Sequence, residues 1–394
     1  MARRVVLAYS GGLDTSVAVP WLAERGWEVV AVVVDVGQPG DLRGATARAL
    51  RLGAVDARVV DARDEFVSGF VLPALRMNAL YGGRYPLVSA LSRPLIAQVL
   101  AGVAAETGAD AVAHGCTGKG NDQVRFEVSL AALAPDLEVL APVRDWGMGR
   151  DDTIGYALER DLPIETTRSS PYSIDENVWG RSIECGVLED PWTAPPEDVF
   201  ELTKPTGGDV ATREVELTFD SGVPVAVDGE SLSPLHLVEA VGKIAGSFGF
   251  GRIDTIEDRL VGIKSREVYE APAALALIAA HADLEAFTLD RAFAREKRRL
   301  EDTWADLVYE GLWYSPLREA IDAFVASCSH AVTGTVRLRF GPGSCTVAGR
   351  RSGVALYDHA LATYDAGDAF RHEDAAGFVR LWGLPLKQWA KTHG

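Results

Sequence analysis

Over its first 165 residues the chain switches repeatedly between short apolar runs and longer helical stretches, and this alternation limits its fold more than any other feature. Val5–Ala8, Val29–Val34, Val55–Val60, Ala111–His114 and Leu137–Ala141 read as buried strands. Helices are expected between and after them, over Thr15–Arg25, Asp41–Leu52, Asp64–Leu80, Ser89–Thr107, Gln123–Leu133 and Asp152–Arg160. Pro20 argues that the first helix is irregular. Strand, helix, strand at this spacing needs parallel crossovers, so the fold class is α/β with a doubly wound parallel sheet. Such sheets bind ligands beyond the carboxyl ends of their strands. Two glycine-rich loops, at 10–16 and 115–122, follow expected strands and should face one crevice.

The pattern changes after Glu165. Pro191, Pro195, Pro196 and Pro205 punctuate a connection. Val215–Phe219 and Val223–Val227 alternate like antiparallel strands, helices follow near 232–248 and 271–310, and Thr335–Phe340 with Cys345–Ala348 reads as a hairpin. The expected organisation is a nucleotide domain over 1–165, an α+β domain over 166–364 and a tail over 365–394. The tail carries Phe378, Trp382, Leu386 and Trp389, which should dock on their own domain or on another subunit.

Charge narrows the partners. The chain has 39 basic and 56 acidic residues, net −17, which disfavours a broad basic face for nucleic acid. Residues 1–165 hold 16 basic against 21 acidic side chains, so the first domain is the less acidic part. Cys116, Cys185, Cys328 and Cys345 form no CxxC pair, which argues against zinc ribbons and dithiol motifs and fits a reducing, cytoplasmic setting. The apolar start is too short for a secretory leader. Ala273–Ala280, read as the longest helical apolar stretch, is too short to span a membrane.

Ser10-Gly11-Gly12-Leu13-Asp14-Thr15-Ser16 joins a strand to a helix. Glycine lets backbone approach an anion closely, and a helix start favours negative charge. No GK[ST] follows, so this is not a Walker A loop, and it is not GxGxxG either. It resembles the PP-loop of the N-type ATP pyrophosphatases, which cleave ATP between the α- and β-phosphates. In His114-Gly115-Cys116-Thr117-Gly118-Lys119-Gly120-Asn121-Asp122-Gln123-Val124-Arg125, glycines alternate with a donor, an amide, a carboxylate and a fork-shaped cation. That set suits a ligand carrying both an amine and a carboxylate. Cys116 is either a nucleophile lacking an evident base or a neutral loop residue.

With SPYSIDENVWGRSIECG at 170–186, GRIDTIEDRLVGIKSREVYE at 251–270 and LVYEGLWYSP at 307–316, the chain resembles the argininosuccinate synthases. The resemblance implies ATP-dependent joining of L-citrulline and L-aspartate in arginine biosynthesis, through a citrullyl-AMP intermediate, with Mg²⁺ on the phosphates and a homotetramer. It implies that Ala8, Tyr9, Ser10, Gly11, Gly12, Leu13, Asp14, Thr15 and Ser16 bind ATP, with Val34 and Gly115. Thr117, Asn121 and Asp122 would hold aspartate; Tyr85, Asn121, Arg125, Ser173, Ser182, Glu257 and Tyr269 would hold citrulline. Asp14 and Asp122 are the candidate catalytic residues and candidate outer ligands of Mg²⁺, with Asp14 also reading as a helix cap; no protein metal site is expected. Residue by residue, blander readings stand beside these. Tyr85 and Tyr269 also read as packing aromatics, Ser173 as a helix N-cap, Ser182 as a surface hydroxyl and Glu257 as part of a solvated helix face. Ala90 stands where the family has a citrulline-gripping serine, with Ser89 and Ser92 on either side. Rival readings are another PP-loop enzyme, such as a tRNA thiolase, and a non-catalytic adenine-nucleotide module.

Overall fold

The computed structural model describes residues 3–162, 172–205, 212–365 and 367–394. Strands β1 (Arg3–Ala8), β2 (Trp27–Asp35), β3 (Asp56–Asp61), β4 (Ala111–Ala113) and β5 (Glu138–Leu140) form one sheet in the order β3-β2-β1-β4-β5. All its pairings are parallel, with Val5 opposite both Val29 and Ala111. The order reverses at β1, so the crevice opens at the ends of β1 and β4, where the two glycine loops begin.

β-Branched strands buried on both faces need cover on each side. On one face Val5, Leu7, Val29, Ala31 and Val33 pack with Ala18, Val19, Leu22 and Ala49 from the helices Leu13–Ala23 and Leu42–Arg51. On the other, Val6, Val30, Val32 and Val34 belong to a larger core that continues into the second half of the chain as far as Phe340. The 20-residue helix Val88–Thr107 lies in that core. By length and composition it would suffice to cross a membrane, a length that Ala273–Ala280 alone does not suggest, and 61% of its apolar window is buried inside the fold.

Two antiparallel sheets follow. One runs β10-β9-β8-β13-β14, from β8 (Arg213–Asp220), β9 (Val223–Val227), β10 (Glu230–Ser231), β13 (Gly334–Gly341) and β14 (Ser344–Arg351). The other, β11-β12-β7-β6, joins β6 (Ser173–Asn177), β7 (Gly180–Glu184), β11 (Arg252–Asp258) and β12 (Lys264–Glu270).

Several elements differ from the sequence reading. The helix begins at Leu13 and passes straight through Pro20. The stretch 64–80 is broken into Arg63–Phe66, a π turn Val67–Val71 and Leu72–Arg76. A loop follows in which Asn78 (φ 44°), Gly82, Gly83 and Leu87 (φ 61°) all take left-handed backbone, and Tyr85 within it lines the crevice. The stretch 271–310 is two helices, Pro272–Thr288 and Arg291–Tyr309, because Asp290 caps the second by accepting from the Ala292 and Phe293 amides at 2.9 and 3.1 Å. Ser173 is a strand residue and not an N-cap, and Glu257 lies on a strand, not a solvated helix. The tail forms helices His372–Trp382 and Leu384–His393 with no buried residue, so it does not dock on its own domain.

Candidate active site

A cavity of about 700 Å³ lies beyond the carboxyl ends of β1 and β4. The sheet supplies one wall, and β6, β7, β11 and β12 supply the other. Ala8, Tyr9, Ser10, Asp14, Thr15, Val34, Tyr85, Gly115, Thr117, Asn121, Asp122, Arg125, Ser173, Ser182, Glu257 and Tyr269 all line it. Gly11, Gly12, Leu13 and Ser16 do not line it but form and brace the first loop. Gly11 has φ 76°, and a Cβ there would lie 3.1 Å from Ala45 Cβ. Its carbonyl accepts from Arg48 Nη1 at 2.8 Å, and the Tyr9 and Ser16 hydroxyls meet at 3.0 Å. Gly12 starts the helix without a side-chain cap, as a helix end offered to an anion requires. The loops touch: a Cβ on Gly115 would lie 2.7 Å from Thr15 Cγ2.

Beyond the glycines, charge is tightly paired. Asp122 Oδ2 accepts from Arg93 Nε at 2.9 Å and its Oδ1 from Arg125 Nη1 at 2.8 Å. Arg93 Nη2 continues to Asp175 Oδ2 at 2.7 Å. Asn121 Oδ1 accepts from the Leu260 amide at 2.9 Å, tying the second loop to the turn after β11. Across the cavity, the Tyr85 ring stacks on Tyr269 at 4.3 Å, and the Tyr269 hydroxyl donates to Glu257 Oε1 at 2.7 Å. The Tyr309 hydroxyl donates to Glu257 Oε2 at 2.9 Å. A cavity built of two anion-ready loops, a fixed guanidinium and a tyrosine-bound carboxylate fits a nucleotide with amino-acid co-substrates.

The arginosuccinate synthase N-terminal HUP domain matches residues 4–163, and the arginosuccinate synthase C-terminal domain matches residues 172–389. The argininosuccinate synthase of Brevibacillus brevis is 54% identical over 392 residues, 99% of this chain and 94% of that protein. The chain belongs to the argininosuccinate synthase family. Among solved structures, a predicted tRNA methyltransferase subunit from Methanocaldococcus jannaschii (16% identity, 40% of this chain and 76% of that one, TM-score 0.29) adds nothing to the sheet order. The same is true of a 4-thiouridine synthetase–RNA complex with bound ATP (21% identity, 40% of each chain, TM-score 0.30).

In this argininosuccinate synthase family member, packing sets the ionisation of the site. Burial alone would raise the Asp122 carboxyl, but Arg93 and Arg125 outweigh it and hold the group below its ordinary value. Burial raises Glu257, and the Tyr269 and Tyr309 hydroxyls partly restore its charged form. Burial also raises the Tyr85 and Tyr269 phenols, so both remain protonated, Tyr269 donating to Glu257 and Tyr85 accepting from the Ser89 amide. The Cys116 thiol is likewise pushed up by burial, which favours the neutral-loop reading over a nucleophile.

Sequence reasoning missed Arg93, Asp175, Glu184, Arg259, Glu267 and Tyr309, all of which line the cavity. Tyr309 had a signal, since it sits in the LVYEGLWYSP motif, but nothing local marks its role. Its carbonyl accepts from Arg125 Nε at 3.0 Å, and its ring stacks on Tyr81. At Ala90, Ser89 takes the cavity-lining place: its amide donates to the Tyr85 hydroxyl at 3.0 Å.

Proposed function

We propose that this cavity carries out the family's reaction, in which L-citrulline and L-aspartate are ligated to argininosuccinate as ATP becomes AMP and pyrophosphate. The convergence in one space of both glycine loops with the Asn121–Asp122–Arg125 and Glu257–Tyr269 groups supports this reading. ATP lies along Ala8–Ser16 and Gly115, with adenine on the backbone of Val34. Thr117, Asn121 and Asp122 hold aspartate. Tyr85, Asn121, Arg125, Ser173, Ser182, Glu257 and Tyr269 hold citrulline, the guanidinium of Arg125 facing its carboxylate and Glu257 its ammonium.

The citrulline ureido oxygen attacks the α-phosphorus and pyrophosphate leaves. The aspartate amine then attacks the activated carbon and AMP leaves. Alignment of three substrates and donors at the phosphates carry most of the acceleration. Mg²⁺ would travel on the nucleotide and neutralise phosphate charge. Asp14 lines the cavity at the phosphate loop and would stand nearest to such an ion; both Asp122 oxygens are engaged by guanidinium groups. Among the described residues no group of three or more His, Cys, Asp or Glu is placed to hold a metal ion.

Two results test the reading. With ureido-¹⁸O-citrulline the label is expected in AMP, and label-free AMP would sink the adenylate step. Gly115→Ala should raise the KM for ATP roughly tenfold, because the added methyl must displace Thr15, whose hydroxyl is tied to Ser10 at 3.0 Å. An unchanged KM would show that the loops are not packed against a nucleotide.

We also infer a cytoplasmic homotetramer with the 365–394 tail crossing between subunits. Trp382 and Leu386 are each 72% exposed in the single chain, unusual for large apolar side chains without a partner. Light scattering at the mass of four chains is the expected result.

A further inference from the structure

The sheet under the cavity brings in more acid than the roles above employ. Ser182 and Glu184 are two residues apart on β7, so both side chains leave the same face, and both line the cavity. Arg259 Nη2 lies 2.7 Å from Glu184 Oε2 and 2.9 Å from Glu267 Oε1, so one nitrogen serves two carboxylates. Glu267 Oε1 also accepts from Ser265 Oγ at 2.8 Å. On its other side Arg259 reaches the loop assigned to aspartate: its Nη1 is 3.4 Å from the Lys119 carbonyl, and the next amide, of Leu260, donates to Asn121. Glu184 therefore stands beside the aspartate loop on a shared arginine anchor.

We propose that Glu184 is the general base that takes a proton from the aspartate ammonium before its nitrogen attacks. The inference rests on the ligase reading. At cytoplasmic pH the amine of aspartate is mostly protonated and has no lone pair. The Glu184 carboxylate accepts one N–H proton and becomes a carboxylic acid, and the freed pair forms the new C–N bond as the C–O bond to AMP breaks. Glu184 meets a single guanidinium nitrogen that it shares with Glu267, whereas the two acids assigned to substrates are held more fully. Asp122 is gripped by two arginines, and Glu257 by two tyrosine hydroxyls. Three charged groups face Glu184: Glu267 from β12, Arg259 from the turn after β11, and Asp122 from the helix start across the cavity. Burial, then the Glu267 charge, pushes its carboxyl up to about 7; Arg259 opposes this, and Asp122 adds to it. A base is most effective with its pKa near the working pH.

The base is needed only in the second half of the reaction, and this gives the test. In Glu184→Gln, kcat should fall about 10²-fold, within the range typical for a lost general base. Citrulline-dependent ATP–pyrophosphate exchange, which reports the first half alone, should stay within about twofold of wild type by the same argument. Wild-type turnover should decline as pH drops through about 7. The variant should lack that limb, and its deficit should shrink at alkaline pH as aspartate supplies its own neutral amine. Equal loss of exchange and turnover would make Glu184 structural and overturn the proposal, as would an unmoved acid limb in the variant. A wild-type protein with no citrulline-dependent exchange would instead overturn the ligase reading, a separable outcome.

Discussion

Arg125→Ala should lower kcat/KM for citrulline about 10³-fold, equivalent to about 4 kcal/mol of transition-state binding. Arg125 is buried, its Nε is given to the Tyr309 carbonyl, and its Nη1 is given to Asp122. Truncation removes the fork that would meet a carboxylate and leaves that carbonyl unpaired. Asp122 is then left with Arg93 alone. Arg125→Lys should recover only part of the loss, because an ammonium cannot hold both protein acceptors and a substrate carboxylate in one plane. Steady-state kinetics with citrulline varied, and then ATP varied, checks this. The KM for ATP should move by less than about threefold, since the Arg125 guanidinium is bonded to Tyr309 and Asp122 and not to the first glycine loop. Equal losses toward both substrates would mean that the residue supports the fold rather than citrulline.

The largest stability effect is expected at Glu270. This carboxylate is fully buried, and four donors converge on it: Arg181 Nη1 (2.8 Å) and the Glu201 amide (2.9 Å) on Oε2, the Thr203 amide (2.8 Å) and hydroxyl (2.7 Å) on Oε1. The group ties β12 to β7 and to the segment leading from Glu197 to Thr203. Glu270→Ala leaves three donors unmatched and a buried guanidinium with only the Val199 carbonyl and Glu176, for an expected loss of about 3–5 kcal/mol in unfolding free energy. Glu270→Gln should be an incomplete rescue. An amide has one oxygen and an NH₂, so one pair of donors would face another donor whichever way it turned. Urea denaturation of the three proteins measures the order wild type, Gln, Ala. A Gln variant as stable as wild type would count against this network.

The parallel half of the molecule was readable because its chemistry is repetitive. Val5–Ala8 and Val29–Val34 are continuous apolar runs of the kind a strand buried on both faces needs, and each strand of this sheet falls close to its expected place. The two glycine loops were equally plain. The sheet beneath the cavity was not readable, because function inverts its pattern. On β11 the polar Glu257 is buried in the site while Ile256 is 52% exposed, so the strand reads as a charged, solvated surface. Ser173 likewise looked like a cap because a polar residue before an acid is the usual start of a helix. Tyr309 and Arg93 escaped for a different reason. They stand more than 200 residues apart, at the end of one helix and within the first turns of another, and only tertiary packing brings both to the cavity.

The two hydrophobic clusters have unequal reach along the chain, and this has a consequence during synthesis. The cluster under Leu13–Ala23 and Leu42–Arg51 is made wholly of residues up to 162, so it closes as soon as the first half emerges from the ribosome. The other runs from Val6 to Phe340 and stays incomplete until β13 has been made. At 5–20 residues per second, that interval lasts roughly 10–40 s. For that time the nascent chain carries a finished nucleotide crevice on a half-covered apolar layer. It is then that the molecule is most exposed to aggregation and has most need of a chaperone.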